Sequence, residues 1–299
     1  MMTPRESTHH TDDGGTPSLT TTNRQRIDDW LDALAHETDL ARKAAAFTAY
    51  LTAMSRFWRY SQANSQLIYM QRPTATHVNS RKRWDGLGYT VQKGAWKQGI
   101  GILCPHFRKE RDRQTGEETQ VLTHFSTGYI YDVADMVAGP NAQPLVAPWQ
   151  TLSGDHEALY ALLLETCHRL TITVTLDPDL PEEIKGSSTG KGQIRLRAQE
   201  GMGERTLTLL HEMAHETLHP SAVREHAGFT RQQVECQAEA VAYCCAQALG
   251  METPNSPTYL ALYHIGRDEL RKNAQAIAVG VQRILRAVER ASEPAEAAA

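Results

Sequence analysis

The stretch Thr206-Leu-Thr-Leu-Leu-His211-Glu212-Met-Ala-His215-Glu-Thr-Leu-His219 has the residue types and spacing that most directly permit chemistry. Two histidines four residues apart on a helix project from one face about one turn apart. Both imidazoles can then reach a single Zn²⁺ at roughly 2.0–2.1 Å. Glu212, beside the first histidine, is placed as general base toward a water at that ion, the HExxH arrangement of metal-assisted peptide hydrolysis. Leu207, Leu209, Leu210, Ala214 and Leu218 make the setting apolar and helix-forming. Burying two histidines there without partners would be costly, which favours a metal over a chance motif.

Such a site needs a third ligand. The HExxHxxGxxH pattern is not met, because Leu218 and His219 stand where it would require Gly and continue to His. His219 is eight residues beyond His211, too far along a helix rising 1.5 Å per residue to join the same ion easily. The next helical stretch, Val-Glu235-Cys-Gln-Ala-Glu239-Ala-Val-Ala-Tyr243, carries two carboxylates on one face among small residues that permit close helix packing. One of them completes a His₂Glu set with a fourth position open, and the other accepts the remaining ring N–H of a ligand histidine. Glu235 is assigned as the ligand and Glu239 as the supporting group or alternative ligand. Hydrolysis would also need a donor for the developing oxyanion, for which Tyr243, Tyr259, Tyr263, His264 and Arg197 are all available. Gln193–Arg197 alternates like a half-buried or edge strand and could hold an extended peptide by strand addition.

These residues must be positioned by the elements around them. Apolar spacing of three to four predicts helices from Asn23 to about Gln71, ended by Pro73. A short helix at Arg81–Leu87, a strand at Gly99–Cys104, a polar loop at Lys109–Thr119 and a strand at Val121–Val133 follow. Gly139, Pro140, Pro144 and Pro148 mark a connector. Beyond it we expect a helix at Asp155–Leu170, a strand at Leu170–Leu176, a loop at Gly186–Gly192, and helices at Glu204–His219, Arg231–Leu249, Pro257–Ile265 and Arg267–Arg290. The predicted layout is α+β: a tail at 1–22, an N-terminal α+β domain at 23–140, a mostly helical domain with a small sheet at 141–291, and a tail at 292–299.

The chain has 299 residues and a formal net charge of -4. That near-neutral total conceals a basic segment: Arg56 to Arg113 holds twelve Lys/Arg and three acids, an excess of +9, so the remainder carries -13. A basic half joined to an acidic half suggests a polyanion partner for the first. Single-stranded nucleic acid is held by cations that track phosphates and by aromatic rings that stack on bases. Tyr60, Asn64, Gln71, Arg72, Thr76, Arg81, Arg83, Trp84, Lys93 and Lys97 are the candidate contacts, although Trp58 and Trp84 could equally be core residues and Arg81–Arg83 a solvated face. No apolar run approaches the roughly 18–20 residues that span a bilayer, and the N-terminus lacks a signal-like apolar stretch. Five cysteines, odd in number and without CxxC spacing, give neither a disulfide framework nor a thiolate zinc site. These features predict a cytoplasmic protein with no membrane partner.

The order Tyr60-Ser61, Asn64, Gln71, Pro73, Ala75-Thr76, Trp84, Leu87-Gly88, Val91, Lys93-Gly94, Ile100 and Ile102-Leu103-Cys104-Pro105, then Tyr131-Asp132-Val133, resembles the N-terminal domain of ArdC-type antirestriction proteins. The second half, with HExxH at His211–His215 and ExxAE at Glu235–Glu239, is similar to that family's metallopeptidase-like domain and to ImmA/IrrE-type peptidases. The chain departs from the family pattern at Gly88-Tyr89, where Gly-Arg is usual, and in the turn Lys93–Gly99. The resemblance implies single-stranded DNA binding by the first domain, a zincin-like second domain holding Zn²⁺ or another divalent ion such as Mn²⁺, and protection of incoming mobile-element DNA from restriction. Two rival readings stay open. One is a regulatory gluzincin-like metalloprotease acting on a repressor or DNA-bound protein; the other is a non-catalytic DNA-binding protein with a structural metal.

Overall fold

Three helices open the chain, each started by a side-chain oxygen that accepts from one of the N–H groups a helix N-terminus leaves unpaired. Ser18 accepts from Thr21 N to start α1 (Leu19–His36), Asp39 from Arg42 N to start α2 (Leu40–Arg56), and Ser61 from Asn64 N to start α3 (Gln62–Gln71). The computed structural model describes residues 18–111, 118–147, 149, 152–220, 228–251, 253 and 265–293. Residues 19–22, expected in the N-terminal tail, are therefore the first turn of α1, and the helix begins at its Ser cap rather than at Asn23. The helix expected at 257–265 and most of both expected tails lie outside the described residues.

After α3 come β1 (Val78–Ser80), α4 (Arg81–Gly86), β2 (Tyr89–Val91), a 3₁₀ turn at Ala95–Gln98, β3 (Ile100–Arg111), β4 (Glu118–Asp132) and β5 (Met136–Ala138). β3 and β4 form a long antiparallel hairpin in register from Ile100↔Ile130 to Arg111↔Glu118, with an irregularity between His106 and Phe107. β1 pairs with the other edge of β4, and β2 pairs with β5 in a separate ribbon. The strands extend past the expected boundaries, so Lys109–Arg111 and Glu118–Thr119 are paired strand rather than loop.

The second half contains α5 (His156–Arg169), β6 (Thr173–Asp177), β7 (Gly186–Ser188), β8 (Gln193–Arg197), α6 (Met202–Leu218), α7 (Arg231–Ala248) and α8 (Arg267–Ala291). Its sheet has the order β6-β8-β7, with β6 parallel and β7 antiparallel to β8. Two expectations are corrected here. Residues 186–188, read as loop, are a strand, because a Gly-Ser-Ser sequence carries no apolar alternation to reveal it. Gln193–Arg197 is the central strand, paired on both sides, so its backbone cannot accept a peptide by strand addition.

The connector does not divide the core. Leu31, Tyr50, Leu51, Met54 and Leu67 from the first helices share one apolar cluster with Leu159, Leu209, Met213, Val241, Ile277 and Leu285 from the second half. A smaller cluster, including Phe57, Ile68, Val78, Ile100, Ile102 and Ile130, lies under the first sheet. Polar contacts also bridge the halves: Arg267 pairs with Asp32 at 3.0 Å, Arg271 with Asp28, and Gln282 Nε2 donates to Tyr60 O at 2.6 Å. α8 can seat this closely because of Gly280, where an added Cβ would lie 2.9 Å from Val241 Cγ2 and 3.0 Å from Leu218 Cγ.

Candidate metal centre

α6 presents His211 and His215 one turn apart, and α7 packs across it so that Glu235 faces both rings. The start of α7 is fixed by a capping box, in which Thr230 accepts from Gln233 N and the Gln233 side chain accepts from Thr230 N. Glu235 follows directly on this capped first turn. His211 Nε2 and His215 Nε2 are 3.1 Å apart, and Glu235 Oε2 lies 3.6 Å from the first and 3.3 Å from the second. Ligand atoms at tetrahedral positions around an ion with bonds of 2.0–2.1 Å are separated by roughly 3.3 Å, so this triangle fits one divalent cation. Two imidazole nitrogens converging on one carboxylate oxygen is also the donor set that such an ion requires.

Among the described residues, the cluster able to hold a metal is His211, His215 and Glu235. His219 is the C-cap of α6 and is not in it. Glu239, one turn beyond Glu235, borders the same cleft. Burial raises its carboxyl above the ordinary value, with Glu235 adding to this and His211 opposing it. Glu235 behaves oppositely: the His211 imidazole beside it is the main influence holding its carboxyl down to about 2, against a desolvation penalty. The two carboxylates are thus shifted in opposite directions.

Glu212 is 7% exposed and points to the same cleft. Burial lifts its carboxyl above the ordinary range, opposed by the His211 charge and a hydrogen bond from Ser188. A base moved upward toward neutrality is a better proton acceptor in transfer. β7 lies directly over it: a Cβ on Gly186 would fall 2.6 Å from Thr208 Cγ2 and 3.2 Å from Glu212 Oε1, so glycine is what lets the strand approach. The cleft measures about 1020 Å³, and β7 forms one wall while Arg231 and Tyr243 contribute to the other. Tyr243 OH is 3.1 Å from Thr52 Oγ1, which ties this wall to α2 of the first half.

Of the proposed oxyanion donors, Tyr243 borders the cleft. Arg197 does not; its guanidinium donates to Glu200 Oε1 at 2.9 Å. Tyr259, Tyr263 and His264 lie outside the described residues. Sequence reasoning missed Ser188 and Gly186, whose role depends on the strand it had read as loop. It also missed Glu216, which accepts from Gly190 N at 2.7 Å and Gly192 N at 2.8 Å and so fastens the β7–β8 turn to α6.

The candidate nucleic-acid contacts divide into two groups. Asn64 brackets Leu103, donating to its O at 2.9 Å and accepting from its N at 2.8 Å. Gln71 does the same for Gly101, at 2.8 and 3.0 Å. Trp84 is fully buried and donates to Tyr131 O at 2.8 Å, so it cannot stack on a base. Tyr60 is largely covered, its hydroxyl donating to Val78 O at 2.8 Å and pushed up to about 12 by burial. These four are corrected to structural roles: side chains with amide or ring N–H groups are suited to DNA, but they serve equally well to pin helices to strands. Arg72 pairs with Asp135 and lies near Asp132, the latter accepting from Thr76 N. Thr76, Arg81, Arg83, Lys93 and Lys97 are exposed.

Two exposed aromatics were not foreseen. Trp96 is 63% exposed with Lys97 Nζ 5.2 Å over its ring, and Tyr129 is 50% exposed. Tyr131 OH donates to Trp96 O, and Tyr129 packs near Gly99, so Tyr129 and Trp96 lie at the same turn beside the first sheet. Beside them, Arg26, Gln71, Arg72, Lys97 and Gly99 line a groove of about 630 Å³. Trp96 belongs to the Lys93–Gly99 turn, and that departure from the family pattern was the available signal.

An α+β protein with a small antiparallel sheet packed into the same core as a helical half, and a His₂Glu cluster between two of its helices, is the class this structure defines. Residues 25–131 match the N-terminal domain of anti-restriction factor ArdC. Two structures of the antirestriction ArdC protein from the R388 plasmid are similar to it. The Mn(II)-bound structure is 14% identical with a TM-score of 0.50, covering 91% of this chain and 98% of that one. The metal-free structure is 16% identical with a TM-score of 0.44, covering 78% and 84%. The expected α+β fold class is the one found. No curated protein matches the chain significantly.

Proposed function

We propose that this chain is an antirestriction-type protein that binds single-stranded DNA through its first half and a divalent metal through its second. The observation that carries the reading is the pairing, in one core, of an ArdC N-terminal domain with the His211–His215–Glu235 triangle. The DNA surface we assign is the exposed face bearing Trp96, Lys97 and Tyr129 with the adjoining Arg26–Arg72 groove. It combines stacking rings with phosphate-seeking cations. His211, His215 and Glu235 would hold the ion, Zn²⁺ or Mn²⁺, with Glu239 supporting. The second of these metals is present in the R388 ArdC structure.

When bound, a divalent ion polarises a carbonyl and acidifies a water. Glu212 would take the proton released at the cleft and return it to the leaving amine, and Tyr243 would offer a donor from the opposite wall. A peptidase acting on a DNA-associated protein is the second reading, favoured by one observation: an accessible cleft whose wall is the free edge of β7. Metal analysis and oligonucleotide titration of the full chain test the proposal together. About one equivalent of metal, lost in His211→Ala, and DNA affinity that drops with salt and falls in Trp96→Ala are expected. Unchanged stoichiometry in His211→Ala would remove the metal assignment, and salt-independent affinity would remove the phosphate-tracking surface.

A further inference from the structure

Outside Arg56–Arg113 the chain has a net charge of -13, yet one cavity in the second half reverses that sign locally. It measures about 690 Å³ and lies between α8, the end of α6 and the turns at Thr171 and Gly190–Gly192. Lys191, Arg283, Arg286 and Arg290 line it. All four are exposed, and none has a carboxylate partner among the described residues. The acid in the wall, Glu216, already has both oxygens occupied by Gly190 N and Gly192 N. Arg283 is held in place by donating to Thr217 O at 2.6 Å. Four uncompensated cations around one concavity raise the local anion concentration.

We propose that this cavity holds phosphates of the nucleic-acid strand, extending its path from the first half along α8. Two features favour a strand over a small anion. Arg283, Arg286 and Arg290 spread over about 10 Å of helix, seven residues at about 1.5 Å each, more than one phosphate can touch. The cavity also abuts the DNA-binding half, since its lining residue Gln282 donates to Tyr60 O and the neighbouring Arg59 pairs with Glu289 of α8. The inference rests on the DNA-binding reading above.

The test compares the full chain with Arg286→Gln/Arg290→Gln, using a labelled single-stranded oligonucleotide long enough to cover both halves. Lys272→Gln/Arg42→Gln removes the same charge elsewhere. The first pair is expected to weaken binding at least tenfold and to reduce the salt slope by about 1.4, roughly 0.7 per phosphate contact on a single strand. The control pair should stay within twofold. Lys191→Gln, in an exposed turn, provides an independent variant should the double one fold poorly, and it should lower the slope by about 0.7. Wild-type protein that binds the oligonucleotide while both cavity variants match it in affinity and slope overturns the inference and leaves the DNA reading intact. Cavity variants that lose only protection by inorganic phosphate against heat, with DNA affinity unchanged, overturn it in favour of a small-anion site. Wild-type protein with no affinity for the oligonucleotide removes the DNA reading, and this inference with it.

Discussion

At the residue scale, the side chains of the cleft differ in what they lose when altered. Glu212 is buried and borders the cleft but is not in the ligand triangle. Glu212→Gln should therefore keep the metal, as read by elemental analysis, while any peptide hydrolysis falls by about 10²–10⁴, the usual contribution of a positioned base. Loss of the metal in this variant would make Glu212 a ligand instead. Proton competition gives a second expectation. Burial alone would lower the His211 pKa, but Glu235, Glu212 and Glu239 together outweigh it and raise the ring above its ordinary value. A ligand imidazole must be neutral, so metal affinity should fall as pH drops, beginning above the ordinary imidazole value of about 6.5. Calorimetric titration with Zn²⁺ at a series of pH values checks the sign. Affinity that is flat down to pH 6 would contradict it.

At the element scale, the metal helices depend on devices that touch no metal. Glu216 occupies the position immediately after His215 and accepts from two amides of the β7–β8 turn. Glu216→Ala leaves both N–H groups with no partner on α6, and each buried unsatisfied group costs about 1–3 kcal/mol. A clear fall in melting temperature is expected, with β7 loosened over Glu212. The cap at Thr230 acts similarly on Glu235. Thr230→Ala should cost about 1 kcal/mol and weaken metal binding by loosening the turn that precedes Glu235, whereas Thr230→Ser should restore both. Chemical denaturation with a parallel metal titration separates these cases, and metal affinity unchanged by a destabilised α7 would show that the cap does not position Glu235.

At the scale of the whole molecule, the first three helices are structural parts of the half that carries the His211–His215–Glu235 cluster. α2 places Tyr50, Leu51 and Met54 in the shared cluster, and Cys244 of α7 contacts Leu51 O at 3.4 Å. Residues 141–299 expressed alone would expose that surface to water, at about 25 cal/mol per Å² of apolar area. We expect such a fragment to aggregate or to unfold without a cooperative transition, while the full chain unfolds in one step. A fragment that is monomeric, cooperative and metal-loaded would show that the halves fold separately. The coupling also links the first half to the cleft, since Thr52 of α2 meets Tyr243 in its wall.

Much of this was written in local sequence. Helix period and Pro73 marked the run from Asn23 to about Gln71 as helical, within a few residues of the outer ends of α1 and α3, and the spacing of His211, Glu212 and His215 on one helix singled out the site before any fold was known. Those features depend on neighbours within a turn or two, where propensity and geometry act directly. The tertiary structure decided what depends on distant segments. It set Glu235 rather than Glu239 in the triangle, because only packing of α7 on α6 fixes which turn faces the rings. It turned Asn64, Gln71 and Trp84 inward, since a polar group's partner comes from whatever backbone is brought beside it. It placed Gln193–Arg197 between two strands and made Gly186–Ser188 an edge, because strand order is a property of the sheet and not of any strand. It also joined two differently charged halves in one core, since apolar surfaces bury against one another regardless of the connector between them.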